Sequence, residues 1–369
     1  MSDSVPRPGR ATAVAPANIA FVKYWGAVDL ERAIPRNPSI SMTLSRCVSR
    51  TTVEAVPGPG DDEVFLAPSA VDGQAPAPDE FARRVRAHLG AIRRWAGVGP
   101  GELRFRVTTA NSFPAAAGLA SSASGFAALA VAAGAALGRR PDGAELSALA
   151  RASGSGSAAR SVLGGYVEWP APGSAPDDPR AAQLAPAGHW DLRDVVAVVE
   201  SGPKEVSSLA GHRLAPTSPH FARRLELLPD RLDRVRRAIR ERDVELLGTT
   251  IEEEAVELHL VAMSSRPPVF YWAPGTLEAL AAVRAMRRDG LAAWATMDAG
   301  ANVHAIVPAA DEPAVAERLA GVAAVRRVIR DGVGTGPYLE DEPAQSGPDA
   351  AAGAGGAGIG PRRAGGSAR

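Results

Sequence analysis

The chain has 369 residues, of which 46% are hydrophobic and 22% charged, a balance that suits one large or two ordinary domains and excludes a wholly disordered polymer. Its 41 basic and 41 acidic residues cancel, so no net field recruits nucleic acid or an anionic membrane surface. A single cysteine, Cys47, excludes an internal disulfide framework and any multi-thiolate metal site, and 38 glycines with 31 prolines signal many turns without the Gly-X-Y period of collagen.

Residues 1–10 carry two arginines but no apolar stretch of signal-peptide length, and they read as a frayed leader. No run of about 18 uncharged apolar residues follows, so no membrane-spanning helix is expected and the cytoplasm is the expected compartment. From there strands and helices alternate. AVAPANIAFVKYW and SISMTL read as strands, and ELRFRVTT alternates at Leu103, Phe105 and Val107. A Pro/Gly/Ser turn, NSFPAAAGLASSASG, leads into the apolar helical run FAALAVAAGAAL. ELSALARAS is helical, SGSGS breaks it, and AARSVLGG resumes. YVEW and DVVAVVES are strands, the second a buried one. Ser218 to about Met263 is mostly helical with charges on one face, and GTLEALAAVRAMRRDG is an amphipathic helix closed by glycine. AAWATMD and NVHAIVP are strands around a tight turn, and a last helix and strand follow. The pattern predicts mixed α/β (α+β) architecture in two domains, 11–188 and 189–340, divided in the Pro/Gly-rich stretch Pro170–Gly188. Residues 341–369 have almost no apolar bulk and are expected to be disordered.

Of the 41 basic residues only Lys23 and Lys204 are lysines. A surface cation drifts from Lys to Arg at little cost, whereas a site that needs a compact three-donor ammonium cannot accept the planar fork. Alone, this leaves function and residual scatter evenly matched. Four stretches can carry chemistry. Pro114–Gly125 joins small residues to a helix start, with Ser121, Ser122 and Ser124 as hydroxyl donors or a magnesium ligand, which suits a polyphosphate and equally suits tight packing. It is neither a Walker loop nor a dinucleotide fingerprint. In SGSGSAAR, a helix starting near Ser157 places Ser157 and Arg160 on one face, fit for a carboxylate or phosphate or simply a solvated loop. Asp298 ends a strand in TMDAGAN, a place for a catalytic carboxylate or an ordinary turn opener. Lys23 stands beside Tyr24, Trp25 and Gly26, able to snorkel or to meet an anion in a cleft. Gly-x-Ser-x-Gly is absent, and the histidines at 88, 189, 212, 220, 259 and 304 show no metal spacing.

ANIAFVKYWG, NPSISMTL, NSFPAAAGLASSASG, SGSAARSVLGGYVEW, SGPKEVSSLAGH, HLVAMSSRPPVFYWAP and TMDAGANVHAI, in this order from Ala17 to Ile306, resemble the GHMP family of small-molecule kinases, and within it the mevalonate diphosphate decarboxylase branch. The resemblance implies a two-domain GHMP fold with the site in the interdomain cleft. It also implies an ATP-dependent decarboxylation: phosphorylation of the tertiary 3-hydroxyl of a phosphorylated mevalonate, then loss of phosphate and carbon dioxide to give an isopentenyl product. Carried over by position, Asp298 is the catalytic aspartate, Lys23 lies near it and the transferring phosphoryl group, and Arg160 holds the substrate carboxylate. Tyr24, Trp25, Gly26, Ser155, Gly156 and Ser157 line the substrate site, and Lys204, Ser207 and Ser208 meet the distal phosphate. Ala117, Gly118, Leu119, Ala120, Ser121 and Ser122 cradle the ATP phosphates near magnesium (Mg2+), and Asn111 and Ser112 sit at the nucleotide. The resemblance further implies a homodimer. Where the family has Lys-Arg-Asp after KYWG this chain has Ala27-Val28-Asp29, and Ala301 replaces the proline of DAGPN. A family arginine that meets the diphosphate falls near 81–86, with Arg83 and Arg84 as candidates. The lost cations keep mevalonate 5-phosphate open as the substrate, beside a superfamily kinase that stops at phosphorylation.

Overall fold

The computed structural model describes residues 9–67, 75–113, 121–200, 202 and 204–340. Arg10–Val22 (β1) is buried continuously from Ala13 onward, as a central strand covered on both faces must be. After it come the hairpin strands Ala27–Asp29 (β2) and Ile34–Pro35 (β3), then Ser39–Pro57 (β4), which runs antiparallel to β1. β4 continues well beyond the predicted SISMTL. Its second half alternates, but Ser49 and Thr51 occupy buried positions, so the apolar rhythm is broken in the sequence. Ser49 pairs with Asn111 and Ser124, and Thr51 with Thr109, which satisfies those hydroxyls inside.

Glu63–Leu66 (β5), Ala75–Pro76 (β6) and the helix Asp79–Ala96 (α1) precede Leu103–Asn111 (β7). α1 buries Ala82, Val85, His88, Leu89, Ile92 and Ala96 on one stripe and ends at Gly97 in the left-handed region. Ser121–Ala136 (α2) is apolar all round and packs on β1 and β4, which is why it lacks a polar face. Gly143–Arg151 (α3), Gly156–Arg160 (α4), Tyr166–Trp169 (β8) and Ala182–Ala185 (β9) complete this half. Among the described residues the sheet runs β1-β4-β7-β5-β6, with β8 on β4 and β9 on β8.

The second half is built around Leu192–Val198 (β10). Its helices are Ser208–Leu214 (α5), Phe221–Glu241 (α6), Val244–Met263 (α7), Pro274–Arg288 (α8) and Glu312–Ala320 (α9). Its other strands are Trp294–Thr296 (β11), Val303–Pro308 (β12) and Arg327–Gly332 (β13), and the sheet order is β11-β12-β10-β13. Tyr338–Leu339 (β14) then returns to pair with β1 in the first sheet. Two expectations are corrected. Arg10, read as leader, opens β1 opposite Glu54. The charges of α6 and α7 are not all on a solvated face, because Arg224, Arg231 and Glu254 are buried. No described helix is long and apolar enough to cross a membrane.

Candidate active site

Lys23 directly follows β1, and its side chain is only 3% exposed. Its ammonium donates to the Ala20 carbonyl at 2.6 Å and pairs with Asp298 Oδ1 at 2.8 Å. Asp298 lies in the turn between β11 and β12, closed by Gly300 N–H donating to the Asp298 carbonyl at 2.7 Å. Its side chain is 25% exposed, so the buried lysine meets a carboxylate that still opens to solvent. Lys204 reaches the same turn and donates to the Ala299 carbonyl. A Cβ on Gly300 would stand 3.3 Å from Lys204 Cε, so glycine keeps that approach open. The chain's two lysines thus converge on three consecutive residues. Burial pushes the Asp298 carboxyl up, but Lys23, with His304 and Lys204, outweighs it and holds the carboxyl below the ordinary aspartate range.

Arg160 ends α4 and is 2% exposed. Its fork donates to Ser41 Oγ at 3.0 Å, Ser39 Oγ at 2.6 Å and Asn18 Oδ1 at 3.1 Å. Burial lowers its pKa to about 10, with Asp298 and Tyr24 countering, so it stays a cation at neutral pH. Asn18 also donates to Ser161 Oγ at 2.8 Å and the Ser157 carbonyl at 3.1 Å, fixing α4 to β1. The helix starts at Gly156 rather than Ser157, and Ser155 caps it by accepting from Ala158 N–H at 3.3 Å. Ser207 caps α5 in the same way, accepting from Ala210 N–H at 3.2 Å, and Ser208 is the first residue of that helix.

Tyr24 stands edge-on to Trp169, with ring centroids 5.2 Å apart, and Gly156 fits beside both because a Cβ there would come within 2.6 Å of Trp169. His212, to which the sequence reading gave no role, lies between Tyr24 and Trp25 at centroid distances of 4.3 Å and 4.8 Å. It also accepts from Gly26 N–H at 3.0 Å. Burial lowers its pKa to about 3, with Arg224 adding to the effect, so it is a neutral acceptor. Asn18, Ser39 and Ser41 were likewise unassigned. Their signal was present in ANIAFVKYWG and NPSISMTL, where small polar residues interrupt a strand with no turn to explain them.

A 690 Å³ cavity lies among β5, β7, α1 and α2, lined chiefly by apolar side chains with Thr109, Asn111, Ser122 and Arg84 among them. The Arg84 guanidinium lies 5.0 Å from the Phe126 ring centroid, while Arg83 is exposed. An apolar slot with a few convergent polar groups suits an adenine nucleotide. Ser112 is engaged elsewhere, its hydroxyl donating to the Arg46 carbonyl at 2.7 Å and accepting from Val48 N–H at 2.9 Å. Ala117, Gly118, Leu119 and Ala120 lie outside the described residues, and Ser121 opens α2. Among the described residues no group of three His, Cys, Asp or Glu is arranged to hold a metal ion.

The first half, residues 15–180, matches the family model for diphosphomevalonate decarboxylase-like N-terminal domains, and residues 194–339 match the mevalonate 5-diphosphate decarboxylase C-terminal domain. A diphosphomevalonate decarboxylase of Candida albicans is 34% identical over 358 residues, covering 90% of this chain and 98% of its own. The chain belongs to the diphosphomevalonate decarboxylase family. The crystal structure of mevalonate diphosphate decarboxylase from Staphylococcus aureus superposes with a TM-score of 0.82 at 31% identity, covering 90% of this chain and 98% of its own. A relative solved in complex with MVAPP, AMPPCP and magnesium superposes with a TM-score of 0.81 at 33% identity, covering 90% and 99%. The diphosphomevalonate decarboxylase fold, mixed α/β in two halves, is therefore the fold of this chain.

Proposed function

We propose that the cleft joining the two lysines, Asp298 and Arg160 carries out the ATP-dependent decarboxylation of mevalonate 5-diphosphate to isopentenyl diphosphate, releasing ADP, phosphate and carbon dioxide. The observation that supports it best is the Lys23–Asp298 pair, 2.8 Å apart and drawn from opposite ends of the chain. Asp298, kept ionised by its cations, orients the tertiary hydroxyl and accepts its proton as the oxygen attacks the γ-phosphorus and the bond to ADP breaks. Lys23 would stand beside the attacking oxygen and the transferring phosphoryl group, where as a point charge it offsets the negative charge that passes from the hydroxyl oxygen towards ADP. The second step needs little covalent help. The bond between C1 and C2 breaks, its electrons form the double bond between C2 and C3, and the 3-phosphate departs with the C3–O electrons. Arg160, preorganised by three hydrogen bonds, aligns the departing carboxylate, and its buried site favours loss of that charge as neutral carbon dioxide.

Tyr24, Trp25, Gly26, Ser155, Gly156 and Ser157 would wall the mevalonyl group, and Lys204, Ser207 and Ser208 would meet its distal phosphate. The nucleotide base would occupy the cavity lined by Asn111 and Phe126, with its phosphates directed to the stretch from Ala117 to Ser122. Magnesium, a hard cation that retains water and phosphate ligands, fits the hydroxyl-bearing rim of that cavity, where Ser122 would meet it and where it would neutralise phosphate charge. We further propose the division into 11–188 and 189–340, a homodimer and a cytoplasmic location. Asp298→Ala tests the reading. It should lower kcat by about 1000-fold while ATP affinity, measured by nucleotide displacement, stays within about threefold. Retained turnover would refute the role of Asp298.

A further inference from the structure

Lys23 sits where a strand ends, so neither of its backbone polar groups has a ladder partner. Both are instead taken by charged side chains of the other half. Lys23 N–H donates to Glu254 Oε1 at 3.0 Å, and Arg224 Nη2 donates to the Lys23 carbonyl at 3.0 Å. Glu254 and Arg224 pair with each other and are both 0% exposed. Arg231 Nη1 reaches Glu254 Oε2 at 3.0 Å and also pairs with Glu257, so each end of the Glu254 carboxylate is bound. Asn37 completes the grip, its amide donating to the same Lys23 carbonyl at 2.9 Å.

A buried ion pair of this kind gives little net stability, because desolvation of both charges offsets their attraction; apolar side chains of equal volume often do as well or better. What it does give here is position. Asp298 hangs from the second sheet, Lys23 from the first, and the clamp comes from α6 and α7 of the second half. Its hydrogen bonds fix the Lys23 backbone against the same body that carries Asp298. We propose that Glu254 and Arg224 are positioning residues for the Lys23 ammonium, holding the catalytic cation in register with the carboxylate across the cleft. The inference rests on Lys23 acting at the transferring phosphoryl group. A shift of about 1 Å in a reacting group can lower rates by about 100-fold.

The test uses the full-length enzyme. Arg224→Met removes the donor to the Lys23 carbonyl while Arg231 still pairs with Glu254. Arg224→Met/Glu254→Met removes both grips and replaces the ion pair with apolar side chains. In both variants kcat for ADP release should fall by at least about tenfold, with the KM for ATP within about threefold of the parent. Because the chain has only two lysines, 13C/15N-lysine labelling yields just two ammonium signals. The Lys23 signal should move in both variants while that of Lys204 stays in place. Turnover within about threefold of the parent together with an unmoved Lys23 signal would overturn the proposal. If the double variant fails to fold, Glu254→Gln supplies the same two readings, with the same expectation. Lys23→Arg, assayed alongside, separates the two readings. If it retains turnover, the role of Lys23 fails and the inference with it; if it is inactive while the clamp variants are normal, only the clamp is refuted.

Discussion

At the scale of single residues, charge state decides what the cleft can do. Asp298 is depressed below its ordinary value of 3.8, so its basic form persists above that lowered pKa and is lost only as pH falls through it. His212 and His259, each lowered to about 3 mainly by burial, are neutral over the same range and contribute no limb. Asp298, His212 and His259 should therefore give the kcat profile no acid limb above about pH 5, as measured by coupled ADP release. An acid limb near neutrality would mean that some other group is the base. The scarcity of lysine made Lys23 and Lys204 legible in the sequence, since an arginine-biased chain retains them only at these two positions. Glu254 and Arg224 were not legible, because nothing in the letters separates them from the chain's other acids and arginines. Only the fold shows that they, with Arg231, face inward on helices most of whose other charges reach the surface.

At the scale of elements, strands and helices with plain rhythm could be read in advance. β7, β12 and α8 are cases, and so is α2, whose uninterrupted apolar run matches its largely buried place. The second half of β4 could not be read, since its inward hydroxyls mimic a polar loop. Helix α1 carries an equally plain stripe at Ala82, Val85, Leu89, Ile92 and Ala96. α7 illustrates a constraint that helical periodicity hides. A Cβ on Gly248 would fall 2.0 Å from the Trp294 ring, so the helix lies against β11 with no room for a methyl group. Gly to Ala inside a helix ordinarily stabilises by about 0.5–1 kcal/mol. Here overpacking reverses the sign, and Gly248→Ala should destabilise by about 1–3 kcal/mol in urea unfolding. A neutral or stabilising result would show that Trp294 is free to move aside.

At the scale of the whole molecule, the two halves are joined by more than the clamp on Lys23. β14 closes back on β1, and Asp331 of β13 reaches into the first sheet. Its carboxylate accepts from the backbone N–H groups of Ser45 at 2.8 Å, Arg46 at 2.9 Å and Cys47 at 2.7 Å, and from Ser45 Oγ at 2.8 Å. These bonds hold the irregular crossing of β4, where it leaves the β8 pairing for that of β7. Asp331→Ala would orphan several donors at once and should cost about 3 kcal/mol or more by denaturant titration, with turnover falling as Lys23 and Asp298 lose their common frame. Unchanged stability would mean that water or a neighbouring group takes over those donors. The order of motifs along the chain made this two-part plan readable, but the bonds of Asp331 and of the clamp on Lys23 to the first half link residues more than 200 positions apart and leave no local signature.

The proposed chemistry couples phosphoryl transfer to carbon loss in one cleft. It is tested most directly by incubating the enzyme and ATP with C1-labelled mevalonate 5-diphosphate, and separately with the 5-phosphate, and counting ADP and labelled carbon dioxide together. Equal amounts of the two products are expected, with the diphosphate strongly preferred. ADP formed without carbon dioxide, or preference for the monophosphate, would contradict it.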